Sequence, residues 1–109
     1  SRATWPAQTR LTRTATAMGY AHSLVPRTMG RIAAENADFV FAYGPNSGRI
    51  ISGTITGGMP ETRGRAFTNR EELVAALKRT AKPGDVLLFK ASHGIHLEQV
   101  IDAFLGEEK

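Results

Sequence analysis

The sequence contains no cysteine, which excludes disulfide bridges and thiolate zinc sites. Aromatic residues make up only 7% of the chain. No apolar run approaches the roughly 18 residues that a helix needs to cross a bilayer, and the N-terminus lacks the apolar stretch of a signal peptide. We therefore expect a cytoplasmic protein with no membrane contact.

Acidic residues are missing from the first third of the chain. The first acid is Glu35, and it is preceded by Arg2, Arg10, Arg13, Arg27 and Arg31. This arginine-rich start, which also holds Trp5, could make the chain a stand-alone interaction module that binds nucleic acid or another anionic partner. Thr, Ala and Arg alternating with little apolar content are also typical of a solvated extension. We favour the second interpretation for residues 1–18, and do not expect nucleic acid to be the partner.

The rest of the composition fits one domain. Of the 109 residues, 41% are hydrophobic, which is enough for a single core. The continuous apolar runs at residues 39–43 and 86–89 predict strands that are covered on both faces, as in a parallel sheet. A shorter strand is expected at residues 65–67, whereas a strand at 10–16 remains open. We expect the two longer strands, ending at Tyr43 and Phe89, to lie side by side.

Helix signals separate these strands. A helix is expected from Ser23 to Asn36, because Pro26 suits a first helical turn. A capping box, either Thr68 with Glu71 or Asn69 with Glu72, predicts a second helix that ends in basic residues before Pro83-Gly84. A last helix, followed by Gly106, carries an inward stripe of Leu97, Ile101, Phe104 and Leu105. Residues 49–56, RIISGTIT, fit a helix or a strand.

Alternating strands and helices predict an α/β fold, Rossmann-like, with a mostly parallel sheet and helices on both faces. In such sheets, ligands bind beyond the carboxyl ends of the strands. The loop at residues 44–49 is one candidate, because Asn46 and Arg49 could bind an anion at a helix start. It is not a phosphate-binding P-loop, because Arg49-Ile50 stands where that motif requires Lys-Ser or Lys-Thr. A capped helix without ligand is the alternative.

The loop at residues 90–96 is the second candidate. Lys90, Ser92 and His93 could hold a substrate carboxylate through charge-assisted hydrogen bonds. In the alternative, Ser92 caps the last helix and the histidines are solvated. His93 and His96 have no obvious third ligand, so we expect no metal site. No nucleophile and base are spaced for acyl transfer, and we assign no catalytic residue.

A longer part of the chain resembles a known family. The residues that carry the resemblance are GRIAA at 30–34, GMPETRGRAF at 58–67 and TNREELVAALKRTAKPGDVLLFKASHGIHLEQVI at 68–101. In order and spacing they resemble the C-terminal, Rossmann-like domain of the Mur ligases that add D-Ala-D-Ala. The most specific piece is the Lys-Pro-Gly-Asp turn, an apolar strand and then Lys90-Ala91-Ser92, where the family has Lys-Gly-Ser.

The resemblance implies a domain at residues 19–109 that contributes substrate binding but is inactive alone. In this family ATP, with Mg, phosphorylates the carboxylate of the UDP-MurNAc-tripeptide, and the amine of D-Ala-D-Ala attacks the acyl phosphate. ATP and Mg are bound mainly by other domains, so the isolated chain is expected to hold no cofactor. Its partners would be those two substrates and the N-terminal and central ligase domains, with the chain monomeric.

The resemblance also implies a helix at residues 49–56, and it has three departures. Ala91 replaces the glycine of Lys-Gly-Ser, and Pro26 stands where the family has a histidine. The family opens this domain with an apolar strand ending in Gly-Asp-Met, whereas this chain reads RLTRTATAMG. Without that strand the sheet would lose a central piece, unless residues 10–16 replace it.

Overall fold

A computed structural model describes residues 13–21, 25–92 and 94–106. The elements in chain order are β1 (Thr14–Gly19), α1 (Pro26–Asn36), β2 (Phe39–Tyr43), α2 (Ser47–Thr56), a 3-10 turn (Glu61–Arg63), β3 (Gly64–Phe67), α3 (Arg70–Thr80), β4 (Val86–Ala91) and α4 (Leu97–Leu105). The strands form a parallel sheet in the order β3-β2-β1-β4, which confirms the predicted α/β class.

Helices cover both faces of the sheet, as predicted. On one face, Val40 and Ala42 of β2 pack with Ile50 of α2 and Ala33 of α1. On the other face, the core is formed by residues of the sheet together with α3 and α4, and its members include Ala15, Ala17, Phe41, Phe67, Leu73, Leu77 and Val100. Two separate apolar clusters therefore hold the sheet, one on each side.

The α1–α2 pair is packed at backbone distance. An ideal Cβ added to Gly30 would lie 2.0 Å from the carbonyl oxygen of Ile50, and one added to Gly53 would lie 2.0 Å from that of Arg27. Real Cβ atoms cannot approach backbone so closely, because interiors are packed without spare volume. Each helix therefore needs a glycine where it crosses the other.

Several predicted helix boundaries are confirmed. Asn36 ends α1, and Pro26 is its first residue, whereas the predicted start at Ser23 lies outside the described residues. Residues 49–56 are helical, as the resemblance implied. Of the two capping alternatives the structure has Asn69, whose side chain accepts a hydrogen bond of 3.0 Å from the backbone N–H of Glu72.

β1 begins inside the segment that we expected to be poorly defined. The predicted boundary after residue 18 falls within this strand, which is buried from Ala15 to its end and lies between β2 and β4. Its sequence, TATAMG, has no apolar run, but small side chains suit a strand with neighbours on both sides and helices above and below. Residues 1–12 lie outside the described part.

β4 differs from its prediction in three ways. It is at the edge of the sheet, with β1 between it and β2, so the strands ending near Tyr43 and Phe89 are parallel but not side by side. It is not covered on both faces, because Val86 and Leu88 are 51% and 55% exposed. It also continues through Lys90 and Ala91, which we had placed in the loop.

The last helix is confirmed in place, with a partly different inward face. Leu97 and Val100 are its buried residues, Phe104 packs at the edge of the core, and Leu105 is 57% exposed. The predicted stripe missed Val100 and included the exposed Leu105. Gly106 ends the helix with a left-handed φ of 76°. None of the helices in the described ranges is long and apolar enough to span a membrane.

Candidate functional site

The carboxyl ends of the strands form a rim at which the loops after β1, β2 and β4 meet. The backbone N–H of Ser92 donates to the carbonyl of Gly19 at 3.0 Å. A Cβ on Gly19 would lie 2.6 Å from the carbonyl oxygen of Tyr43, so only glycine allows the ends of β1 and β2 to approach so closely. The edge at which we predicted ligand binding is therefore a compact surface in which neighbouring loops are in contact.

Asn46 and Ser92, one from each predicted loop, hold the same peptide group. This group, which joins Tyr20 to Ala21 and is called the rim peptide below, follows β1. The Nδ2 of Asn46 donates to the carbonyl oxygen of Tyr20 at 2.8 Å. The N–H of Ala21 donates to Oγ of Ser92 at 2.8 Å. Two residues that are distant in the chain thus meet through one backbone unit.

The rim peptide limits how far apart these two side chains lie. The oxygen and nitrogen of one peptide group are about 2.3 Å apart. Adding the two hydrogen bonds of 2.8 Å, Nδ2 of Asn46 and Oγ of Ser92 are at most about 8 Å apart. Ser92 does not cap α4, since the residue before that helix is His96, with φ of 60°. The Nδ1 of His96 lies 3.0 Å from a carboxylate oxygen of Glu98.

An open depression of about 310 Å³ adjoins Ser92. Its lining is Ala91, Ser92, Gly94, His96, Leu97 and Glu98. Lys90 lies outside it: successive side chains of a strand alternate in direction, and Lys90 instead borders a groove beside α1. Arg49 is exposed in the first half of α2, and His93 lies outside the described residues. Of the five predicted binding residues, Asn46 and Ser92 are connected in the structure, because both hydrogen-bond to the rim peptide.

Tyr20, which supplies the carbonyl group of the rim peptide, was not predicted from the sequence. Tyr20 follows β1 directly, and its ring is buried in the cluster between the sheet and the α1–α2 pair. Burial raises the pKa of the Tyr20 hydroxyl, and this buried oxygen has no hydrogen-bond partner among the described residues. A single aromatic residue after a strand is too weak a signal to predict a functional site from the sequence. A backbone peptide group gives no such signal.

The arginines named for the anionic-partner alternative are partly engaged. Arg13 forms a two-pronged ion pair with Asp85, with distances of 3.1 Å and 2.6 Å, and also donates to the carbonyl of Thr80. Arg31 lies 3.8 Å from Glu35, one helical turn away. Arg2 and Arg10 lie outside the described residues. Arg13 therefore serves the fold, because it links the start of β1 to the start of β4.

Comparisons with known proteins decide the relationship. No family model matches the chain. Over 70 residues, 64% of the chain, it is 34% identical to the UDP-N-acetylmuramoyl-tripeptide--D-alanyl-D-alanine ligase of Bacillus subtilis. Over 69 residues, 63% of the chain, it is 44% identical to the enzyme of that name from Synechocystis. Over the matched residues the chain is homologous to these two ligases. It spans only 15% and 14% of the length of these two relatives.

Solved structures share the fold of the chain. MurF from Acinetobacter baumannii matches 91% of the chain with a TM-score of 0.72 at 22% identity, over 23% of the MurF chain. MurF from Thermotoga maritima, solved with ADP, matches 88% of the chain with a TM-score of 0.63 at 20% identity, over 22% of its own length. A domain from a UDP-N-acetylmuramate:L-alanyl-gamma-D-glutamyl-meso-diaminopimelate ligase of Haemophilus ducreyi matches with a TM-score of 0.65 at 18% identity, over 92% of the chain and 72% of that domain. At these identities the likeness concerns the fold.

Proposed function

We propose that the chain is the C-terminal, substrate-binding domain of a cytoplasmic, ATP-dependent ligase that joins D-Ala-D-Ala to the UDP-MurNAc-tripeptide during synthesis of peptidoglycan precursors. The observation that carries this proposal is the 34% and 44% identity to two ligases named for that reaction. The parallel fold and the position of the linked loops at its carboxyl rim support it, because ligands of such sheets bind there.

The rim offers the chemistry that a dipeptide needs. Lys90 and Arg49 are exposed cations near the ends of β4 and β2, and a cation paired with a carboxylate makes stronger hydrogen bonds than neutral groups do. We assign these two residues, with Ser92, Asn46 and His93, to binding of the incoming dipeptide. Their role is to bind and orient it, and no residue of this chain is assigned to bond making.

ATP and Mg belong to other domains in this proposal. No P-loop is present in the sequence, and the first turn of α2 has Arg49-Ile50 where that motif requires Lys-Ser or Lys-Thr. The chain alone should therefore release no phosphate from ATP when both substrates are supplied. In the parent enzyme, closure of this domain would exclude water that competes with the amine for the acyl phosphate.

Titration of the isotope-labelled chain with D-Ala-D-Ala, followed by NMR, tests the proposed site. We expect amide shifts at residues 46–49 and 90–96 at millimolar dipeptide. Lys90→Ala should weaken binding about tenfold, because a hydrogen bond to a charged group is lost. Lys82→Ala is the matched control, since Lys82 is an exposed lysine in the turn before β4, at the opposite end of that strand. Absence of shifts from the rim, or equal weakening by both variants, would contradict the assignment.

A further inference from the structure

We propose that Asn46, Ser92 and the rim peptide form one positioning unit, which orients the dipeptide with its amine at Asn46 and its carboxylate at Ser92. This inference rests on the proposed function, because it concerns how that site reads the two ends of its ligand. Besides contacting the dipeptide, Asn46 and Ser92 would each hold the other's loop in place.

The first support is that both hydrogen bonds use one rigid group. A peptide bond is planar, and in its trans form the C=O and N–H point in opposite directions. Asn46 donates to one end and Ser92 accepts from the other, both at 2.8 Å. Hydrogen bonds in such a chain polarise one another, so loss of either bond weakens the other. The two loops are therefore coupled through the rim peptide.

The second support is the hydrogen-bonding capacity that the unit leaves over. A serine hydroxyl that accepts a hydrogen bond still has its own hydrogen to donate. An asparagine that donates through Nδ2 still has Oδ1 to accept, and Asn46 makes no side-chain capping hydrogen bond at the start of α2. Ser92 can therefore still donate a hydrogen bond, which a carboxylate requires. Asn46 can still accept one, which a protonated amine requires.

The third support is distance. The two side chains lie at most about 8 Å apart, and an extended dipeptide spans about 7 Å. One dipeptide can therefore reach both groups. Lys90 and the depression beside Ser92 lie on the β4 side of the rim, which favours the carboxylate at that end. The unit should thus distinguish a free dipeptide from one whose amine is blocked.

The first experiment tests the unit without ligand, in the full chain. Ser92→Ala should increase hydrogen exchange of the Ala21 amide at least about fivefold, and Ser92→Thr, which keeps the hydroxyl, should restore protection. Asn46→Ala should also increase exchange at Ala21, although its side chain contacts the other end of the peptide. Ser52→Ala, at an exposed position on α2, is the control and should change nothing. Ala21 exchange that is unchanged in Ser92→Ala, or in Asn46→Ala, would overturn the coupling.

The second experiment tests the orientation. Asn46→Ala should weaken D-Ala-D-Ala about fivefold or more and N-acetyl-D-Ala-D-Ala clearly less. Both ligands share the loss from the loosened Ser92 loop, whereas only the free dipeptide also loses the hydrogen bond of a charged amine. Ser92→Ala should weaken both ligands. If Asn46→Ala weakens both ligands equally, the orientation is wrong while the proposed function stands. If the unaltered chain binds neither ligand, the proposed function and the orientation both fail, and Ala21 exchange still decides the coupling.

Discussion

β2 and β4 have similar apolar sequences but different surroundings. β2, FVFAY, lies between β3 and β1, and its central residues Val40 and Ala42 are fully buried. β4, VLLFKA, has β1 on one side only, and its alternate residues Val86 and Leu88 are more than half exposed. A continuous apolar run therefore predicts a strand with an apolar environment, but it does not tell a central strand from an edge strand.

The difference comes from the helices that cover each strand. Both faces of β2 contact helices, and the α1–α2 pair is packed so closely that glycines are required. β4 is covered by α4 on one face. Its other face borders an apolar groove of about 220 Å³, where Leu88 lies near Met29 and Ile32 of α1. The same residue types should thus have unequal energetic weight in the two strands.

The largest loss of stability is expected where α1 and α2 cross at backbone distance. Gly30→Ala should lower the free energy of unfolding by about 3 kcal/mol or more, because the new Cβ would meet the Ile50 carbonyl oxygen at 2.0 Å. Gly48→Ala is the matched control: an added Cβ there meets nothing within 4 Å. It should be neutral or stabilise the helix by up to about 1 kcal/mol.

Chemical denaturation of both variants measures the difference. If Gly30→Ala is as stable as Gly48→Ala, α1 and α2 do not cross at backbone distance. The helices over β2 would then be packed no more closely than the surroundings of the exposed face of β4.

A same-type pair compares the strands directly. Val40→Ala in β2 should lower the free energy of unfolding by about 2 kcal/mol, because Val40 is 0% exposed and its loss leaves a cavity. Val86→Ala in β4 should cost less than about 1 kcal/mol, because Val86 is 51% exposed. Urea denaturation midpoints give the comparison. Equal losses would mean that β4 is covered in solution, and would remove the distinction between the strands.

A smaller effect is expected from the ion pair that links the edge strand to β1. The pKa of Asp85 is held below its ordinary value of 3.8, chiefly by the hydrogen bond from Arg13 and then by that from the Lys82 N–H. A carboxyl whose pKa is lower in the folded chain stabilises the fold above its unfolded pKa. That stabilisation is lost as the pH falls through the acidic range below the ordinary value.

Asp85→Asn tests this pH dependence. The melting temperature of the variant should be lower than that of the unaltered chain at neutral pH, and the gap should narrow as the pH falls. Glu71→Gln, which alters an exposed carboxylate in the first turn of α3, serves as control at each pH. A gap that stays constant down to strongly acidic pH would contradict the role of the ion pair.

Local signals predicted the helices well. Asn69 caps α3 because its side chain can accept from a backbone N–H three residues on, an interaction that depends only on neighbouring residues. Pro26 begins α1 for an equally local reason, its preset φ and missing N–H. By contrast, residues 49–56 satisfied both helix and strand patterns. The family resemblance, and not the pattern, predicted the helix that the structure shows.

The candidate site was predictable in outline only. Polar residues after buried strands located the rim at Asn46 and Ser92, because parallel strands present their carboxyl ends together. Nothing in the sequence could show that a backbone group after β1 joins them, since every peptide group has the same donor and acceptor. The substrate roles of Lys90, His93 and Arg49 remain predictions.

The sequence by itself determined the main boundaries of α1, α3 and α4 and the turns that follow α3 and α4, because capping, proline geometry and glycine conformations act over a few residues. Only the tertiary structure decided that TATAMG is a central strand, that VLLFKA is an edge strand and that Asn46 meets Ser92. Neighbours in a sheet and crossings of helices depend on residues far apart in the chain, and a local pattern carries no information about which distant surface will cover it.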